Sequence, residues 1–243
     1  MERLIVRNFG AIHDIAIDLK DITIFIGENG TGKSTLAKLI SIFSSDDFWI
    51  NNANFSECLE YYQISDFLQS STFIEYQSKM GVFVYNDGKR QVRFSEDILR
   101  VLSRSIEITN QEEQEEQVRI LFKKIIKSIL NEIIYIPAER SVVSFLSEKY
   151  AAIDRKELTT LFPEVLLDFT AYFNKVSSII RKWFIDLFNV TYQKENGKDY
   201  MVLPDDKRFL LSDAASGLQT LVPALLIFEY YAQDEEKKSY TFE

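Results

Sequence analysis

The stretch that most narrows what this chain can become is Gly27-Glu28-Asn29-Gly30-Thr31-Gly32-Lys33-Ser34. It satisfies the pattern G-x-x-x-x-G-K-[ST] at every position. Before it, Ile22-Thr23-Ile24-Phe25-Ile26 is short, apolar and β-branched, and predicts a buried strand. After it, Leu36, Leu39, Ile40 and Phe43 recur at helical spacing, so a helix is expected from Lys33 onward. Strand, glycine loop and helix in that order is the setting in which the pattern cradles phosphate. The glycines let main-chain N–H groups curl around phosphate oxygens. The helix start adds unpaired N–H groups and a partial positive charge. Lys33 is expected at the β- and γ-phosphates and Ser34 on Mg²⁺. Gly27 through Thr35 are therefore candidate nucleotide-binding residues. The competing reading is an ordinary glycine turn, which the correct flanks disfavour.

With 243 residues, 46% of them hydrophobic, the chain can bury a core as one large domain or as a domain with a lobe. The net charge of −9 disfavours a coat-like binder of nucleic acid or anionic membrane, although a local basic patch stays possible. Cys58 stands alone, which excludes a disulfide framework and a thiolate metal cluster and fits a reducing compartment. No run approaches the ~20 apolar residues of a membrane span, and the N-terminus lacks a signal-peptide layout. A cytoplasmic protein with no membrane partner is expected. His13 has no histidine or cysteine partner and reads as an exposed turn residue.

Leu4-Ile5-Val6 opens a strand. Ile15, Ile17 and Leu19 alternate in a second one, with Asn8-Phe9-Gly10 as the turn between. Ser44 to Ser71 reads as irregular or short helical structure. Thr72–Gln77, Gly81–Tyr85 and Gln91–Phe94 read as strands, the last two joined by a hairpin turn at Asn86-Asp87-Gly88-Lys89. Lys89, Arg90 and Arg93 on this piece form either a solvated edge or a nucleic-acid contact. A helix is predicted over Thr109–Glu132, capped by Thr109 with Glu112. Its acidic start suits the helix dipole, and its stripe is Val118, Leu121, Phe122, Ile125, Ile126, Ile129 and Leu130. Ile133–Ile136 reads as a core strand stopped by Pro137. If it is parallel, Glu139 and Arg140 fall at the sheet edge where ligands gather in open α/β folds. A second long helix is expected over Pro163–Phe188, followed by a small β element around Asn196-Gly197.

Near the end, Ala214-Ala215-Ser216-Gly217-Leu218-Gln219 precedes a helical run, Leu221–Tyr231. Ser216, Gly217 and Gln219 at a helix start offer an anion a hydroxyl, a bare amide and a dipole. Read alone, this is a plain helix cap. Tyr240-Thr241-Phe242-Glu243 is an apolar strand stub ending in a carboxylate. Strands of this kind carry the acid that holds Mg²⁺ in phosphate-loop ATPases.

Taken together, the order of an N-terminal strand pair, GENGTGKST, a long insertion, ASGLQ and a strand ending in Glu resembles ABC-type ATPase heads. More narrowly it is similar to the RecF, OLD and SMC branch. Arg7-Asn8-Phe9-Gly10 and Ile136-Pro137-Ala138-Glu139-Arg140 resemble the compact, OLD-like members. Ala215–Gln219 resembles the LSGGQ signature, with Ala215 for Leu and Leu218 for the second Gly. The resemblance implies an α/β fold: a P-loop NTPase with a mixed sheet, an antiparallel β piece near the N-terminus and a helical insertion lobe. On this reading, residues 1–100 form the ATPase lobe, 101–207 the insertion with its core strand, and 208–243 the signature, its helix and the start of the Walker B strand.

The same resemblance implies ATP and Mg²⁺ as cofactors. Lys33 and Glu243 would be catalytic, and Ser34 and Glu243 would be metal ligands. Gly27, Glu28, Asn29, Gly30, Thr31, Gly32, Lys33, Ser34 and Thr35 of one copy would face Ser216, Gly217 and Gln219 of another in a homodimeric ATP sandwich. DNA and an effector nuclease or toxin are the implied partners. Two departures stand out. The insertion lacks the heptads of long SMC arms. The chain also stops at Glu243, where the family's second acid would follow, so binding is expected to survive better than hydrolysis. A transporter ATPase, a non-catalytic nucleotide-binding scaffold and a simple kinase are the alternative readings.

Overall fold

The computed structural model describes residues 2–50, 54–106, 114–130, 132–150, 153–233 and 238–243. The chain divides into two compact units, Met1–Ile133 and Ile134–Glu243. The division falls inside the stretch expected to be the insertion lobe.

In the first unit, Leu4, Val6 and Phe9 turn inward from β1 (Glu2–Phe9), and β2 (Ile12–Leu19) folds back on it from Phe9↔Ile12 to Glu2↔Leu19. The tip of this hairpin is held from outside. Gly10 N–H donates to Phe67 C=O at 3.1 Å, Asn8 Nδ2 donates to Ser71 C=O at 3.3 Å, and the Thr72 hydroxyl donates to Asn8 C=O. Helix α1 (Lys33–Ser44) buries Leu36, Leu39, Ile42 and Phe43. Two short helices, α2 (Asp46–Ile50) and α3 (Phe55–Tyr61), and a 3-10 turn at Ser65–Phe67 follow, matching the expected irregular stretch. Strands β3 (Phe73–Ser78), β4 (Gly81–Asn86) and β5 (Lys89–Phe94) complete an antiparallel sheet in the order β2-β1-β3-β4-β5. Asp87 and Gly88, with φ of 50° and 70°, make the mirror-image two-residue turn that a hairpin prefers. Phe43 sits at the centre of the core, its ring within 6 Å of those of Phe48, Phe55, Tyr76 and Phe83. Helix α4 (Glu96–Ile106) was not expected from the sequence. Helix α5 (Gln114–Ile129) lies within the helix expected from Thr109, and its Phe122, Ile125, Ile126 and Ile129 pack on this core. The Thr109 cap falls outside the described residues.

The second unit opens with β6 (Glu132–Ile136), which pairs with β11 (Lys238–Phe242). Glu243 N–H donates to Ile136 C=O at 3.0 Å, so the two strands end side by side and run parallel. After a 3-10 turn at Ala138–Val142 come α6 (Val143–Lys149), α7 (Arg155–Leu158, capped by Asp154) and α8 (Glu164–Ile179). A four-stranded antiparallel sheet follows in the order β10-β9-β8-β7, made of β7 (Lys182–Ile185), β8 (Val190–Glu195), β9 (Lys198–Val202) and β10 (Arg208–Leu210). Helix α9 (Ser216–Ala232) packs Val222, Leu226 and Ile227 against Phe169, Phe173 and Val176 of α8. Lys194 ties the sheet to α8. Its Nζ lies 3.2 Å from Asp199 and 2.8 Å from the Ser177 hydroxyl, while Tyr192 donates its hydroxyl to the same Asp199. Burial pushes the Tyr192 hydroxyl well above its ordinary pKa.

Three expectations need correction. Ile22–Ile26 is not a buried strand: among the described residues it pairs with nothing. Ile22, Ile24 and Ile26 are 80%, 77% and 90% exposed, and Phe25 alone packs on the core. Strand-forming residues supply a preference, but a strand needs a neighbour, and β1 and β3 are each already paired on both sides. For the same reason no single mixed sheet forms; the described residues make three separate sheets. The helix expected over Pro163–Phe188 ends at Ile179. Beyond it burial follows a period of two, with Trp183 and Ile185 turned in and Lys182 and Phe184 out, and β8 supplies the partner. The insertion is accordingly not purely helical.

Candidate functional site

The phosphate loop is shaped mainly by its own main chain. Gly30 and Gly32 have φ of 79° and 92°, a backbone that other residues adopt at a cost. Gly32 also needs to be bare: a Cβ there would lie 2.7 Å from Cγ1 of Ile12, the buried first residue of β2. The hairpin thus forms the floor of the loop. Thr31 Oγ1 bonds Glu28 C=O at 2.9 Å and closes the loop on itself. Lys33 curls back, its Nζ donating to Gly27 C=O at 3.0 Å and Glu28 C=O at 2.5 Å.

Helix α1 begins with the bond from Leu36 N–H to Gly32 C=O, at 2.9 Å. The amides of Lys33, Ser34 and Thr35 precede that ladder. No side chain caps them, and no acid sits in the first turn. Ser34 is exposed and Thr35 is buried, so Thr35 can offer little beyond its amide. Glu28, Asn29 and Thr31 are exposed on the rim.

A run of bare amides, an ammonium group and a hydroxyl suits a polyphosphate chelated to a hard cation. Among the described residues no group of three His, Cys, Asp or Glu could hold a metal unaided.

The second unit supplies two further features. At the C-terminal edge of the parallel pair, Glu243 accepts the Tyr135 hydroxyl on Oε2. Arg140 Nη1 donates to Glu243 C=O at 3.0 Å and to Pro137 C=O at 2.8 Å. Burial lowers the pKa of Arg140, while Glu243, Glu139 and Tyr135 pull it back up. Glu139 is exposed beside it. The other feature is the start of α9. Ser216 and Gly217 are exposed there, with no side-chain cap and no first-turn acid. Gln219 is committed elsewhere, its Nε2 donating to Ser212 C=O at 2.7 Å. The Ser212 hydroxyl in turn bonds Glu148 at 2.9 Å. Burial raises the pKa of Glu148, but the Ser212 hydroxyl and Lys149 outweigh that and hold it below its ordinary value.

Residues 1–162 match the AAA ATPase domain family. The chain belongs to that family. Membership makes it a nucleotide-binding ATPase domain and fits the ATP and Mg²⁺ chemistry of the loop. No curated protein matches the chain. The part of the AAA ATPase domain that is matched contains the phosphate loop, β6, Glu139 and Arg140. Ser216, Gly217, Gln219 and Glu243 lie beyond it. Sequence reasoning missed Ile12, Tyr135 and Glu148 within the matched residues, and Ser212 beyond them. Each acts through a contact distant in sequence, and no local pattern marks it. Among the described residues, no helix of the domain is long and apolar enough to cross a membrane.

Proposed function

We propose that this chain is a switch that binds ATP with Mg²⁺ and closes head-to-tail on a second copy. In this reading Lys33 and Ser34 of one copy hold the β- and γ-phosphates and Mg²⁺, and Ser216 and Gly217 of the other close on the γ-phosphate. Glu243 completes the metal's surroundings. ATP then binds the pair better than the single copy, and that difference in affinity drives closure. Hydrolysis removes the shared phosphate contacts and lets the copies part. The observation that carries the reading is the start of α9: an exposed Ser-Gly pair on a 17-residue helix, with no cap and no acid to satisfy it from within.

The wider setting is a DNA-linked assembly of repair, recombination or phage defence, in which the switch governs an effector nuclease or toxin. Support comes from the similarity to RecF, OLD and SMC heads. The exposed Lys89, Arg90 and Arg93 on edge strand β5 add a local positive stripe on an otherwise acidic chain.

Light scattering with a slowly hydrolysed ATP analogue and Mg²⁺ tests the switch. The wild-type chain is expected to double its mass on adding nucleotide. Ser216→Arg is expected to stay single while binding nucleotide as before. A wild-type chain that is saturated with nucleotide and still monomeric would end the proposal.

A further inference from the structure

The four-stranded sheet of the second unit has one face in the core and one in water. Trp183, Ile185, Tyr192 and Met201 turn inward and share a core with α8 and α9. The alternate residues make the outer face, and the pairing fixes their places on it. Phe184 stands opposite Thr191, Thr191 opposite Val202, and Val202 opposite Arg208. In the next row Lys182 leads through Gln193 to Tyr200. Three strand spacings separate Phe184 from Arg208, or about 14 Å.

This face combines aromatic rings with positive charge. Phe184 is 50% exposed, and among the described residues no ring or cation covers it. The Arg208 guanidinium lies 4.8 Å from the centre of the Tyr200 ring and is held by Glu195 at 2.7 Å. Lys182 and Lys198 are exposed on the side toward the β8–β9 turn. The strands thus place three cations against one acid, Glu195, on a chain whose net charge is −9. The five-stranded sheet of the first unit is built otherwise. There Arg3 and Arg7 are matched by Asp18 and Asp14 on the neighbouring strand, and Arg7 covers the Phe73 ring at 5.4 Å.

A lone exposed phenylalanine means little. A bare ring and a guanidinium–tyrosine pair on one open sheet, with lysines alongside, suit flat rings strung on a negatively charged chain. Unpaired bases stack on aromatic and guanidinium planes, while cations track the phosphates. An acidic peptide would satisfy the lysines and leave Phe184 in water.

We infer that the outer face of the β7–β10 sheet binds single-stranded nucleic acid. Phe184 and the Arg208–Tyr200 pair are the stacking positions, and Lys182 and Lys198 meet phosphates. A four-stranded face of this kind takes two or three bases. The site belongs to the second unit alone and needs neither the phosphate loop nor the start of α9. It gives the nucleic-acid setting a contact of its own, apart from Lys89 and Arg93.

The test is fluorescence anisotropy of a labelled oligothymidylate with the full chain, at several salt concentrations and without ATP. Phe184→Ala should weaken binding about tenfold, the loss of one stacked base. Phe184→Tyr should bind as the wild type does. Phe184→Leu should stay as weak as the alanine variant, because it restores apolar surface and no ring; full recovery with leucine would overturn the stacking role. Lys182→Gln should flatten the salt dependence by about one released ion. Both side chains are exposed, so thermal midpoints should not move. A duplex of the same length should bind more weakly, since its bases are already stacked. Polyglutamate that displaces the oligonucleotide as well as unlabelled oligonucleotide does would mark a site for acidic peptide and end the proposal. If the wild type binds, Phe184→Ala binds equally well, and Lys89→Glu with Arg93→Glu does not bind, the nucleic-acid setting stands and this face is the wrong one. If the wild type binds no oligonucleotide, the inference falls, and the ATP switch is still judged by its own mass measurement.

Discussion

Helices α1 and α9 begin alike, and then differ in everything around them. Neither has a side-chain cap or an acid in its first turn. By contrast, the short α7 is capped by Asp154, whose carboxylate accepts from Lys156 N–H at 2.8 Å. The start of α1 is wrapped by a loop with three glycines at positive φ and carries Lys33, so it has both the curvature and the full charge to hold an anion unaided. The start of α9 follows Ala215 in an extended backbone and offers only a hydroxyl, an open glycine and the partial charge of the helix. A helix end of that kind is worth about 0.3–1 kcal/mol to an anion at an exposed site. It can strengthen the hold on a phosphate already bound but cannot capture one. In the proposed switch, that difference would make the first a site that binds and the second one that responds to binding.

Removing the charge should break the asymmetry most visibly. Lys33→Ala is expected to lose about 2–3 kcal/mol of nucleotide affinity, or at least about thirtyfold, since charge-assisted bonds are the strong ones. Calorimetry on the single copy would show it. Ser216→Ala should leave that same single-copy affinity within about twofold, because a surface dipole contributes so little. Equal losses in the two variants would show that the helix starts are not different in kind.

Next comes the shape of the loop. Gly32→Ala should destabilise the fold by about 2 kcal/mol in urea, combining a backbone strained at positive φ with the close approach to Ile12. In an Ile12→Ala background the steric share should vanish, leaving Gly32→Ala about 1 kcal/mol unfavourable. Full additivity of the two changes would mean that the hairpin does not support the loop.

The smallest effect concerns the underside of α9. Glu148 has a folded-state pKa below its ordinary value of 4.5, so its contribution is present above that pH and fades as pH falls through the lower, folded value. Glu148→Gln should therefore lower the thermal midpoint slightly near pH 6, with the gap to wild type closing on acidification below about pH 4.5. A gap that widens toward acid would reverse the sign and remove the anchoring role of the Ser212–Glu148 bond.

The two helix starts also differed in how readable they were. The phosphate loop is contiguous, and its chemistry follows from where glycines, a lysine and a serine stand in eight residues. The hairpins at Asp87-Gly88 and Asn196-Gly197 were visible for the same reason, since a two-residue turn names its residues. What failed was whatever depends on a partner. Ile22–Ile26 has the composition of a strand and lacks a neighbour. Trp183 to Ile185 reads from sequence as part of the preceding helix, because an aromatic-rich run satisfies both periods until β8 pairs with it. Helix α4 lies between a strand and a helix with a longer apolar stripe. The bonds of Tyr135 and Arg140 to Glu243 join residues 108 and 103 positions apart, and nothing in either neighbourhood announces the other.

Ile12 has one more implication. It lies beneath Gly32 only because β1 and β2 pair with Phe9 opposite Ile12. A slip of one residue would turn Ile12 to the opposite face and bring His13 inward. The seat of the loop would then be lost although every residue of the motif remained. The hairpin's register is thus a precondition for the loop's shape, set well upstream of the lysine that the motif is known by.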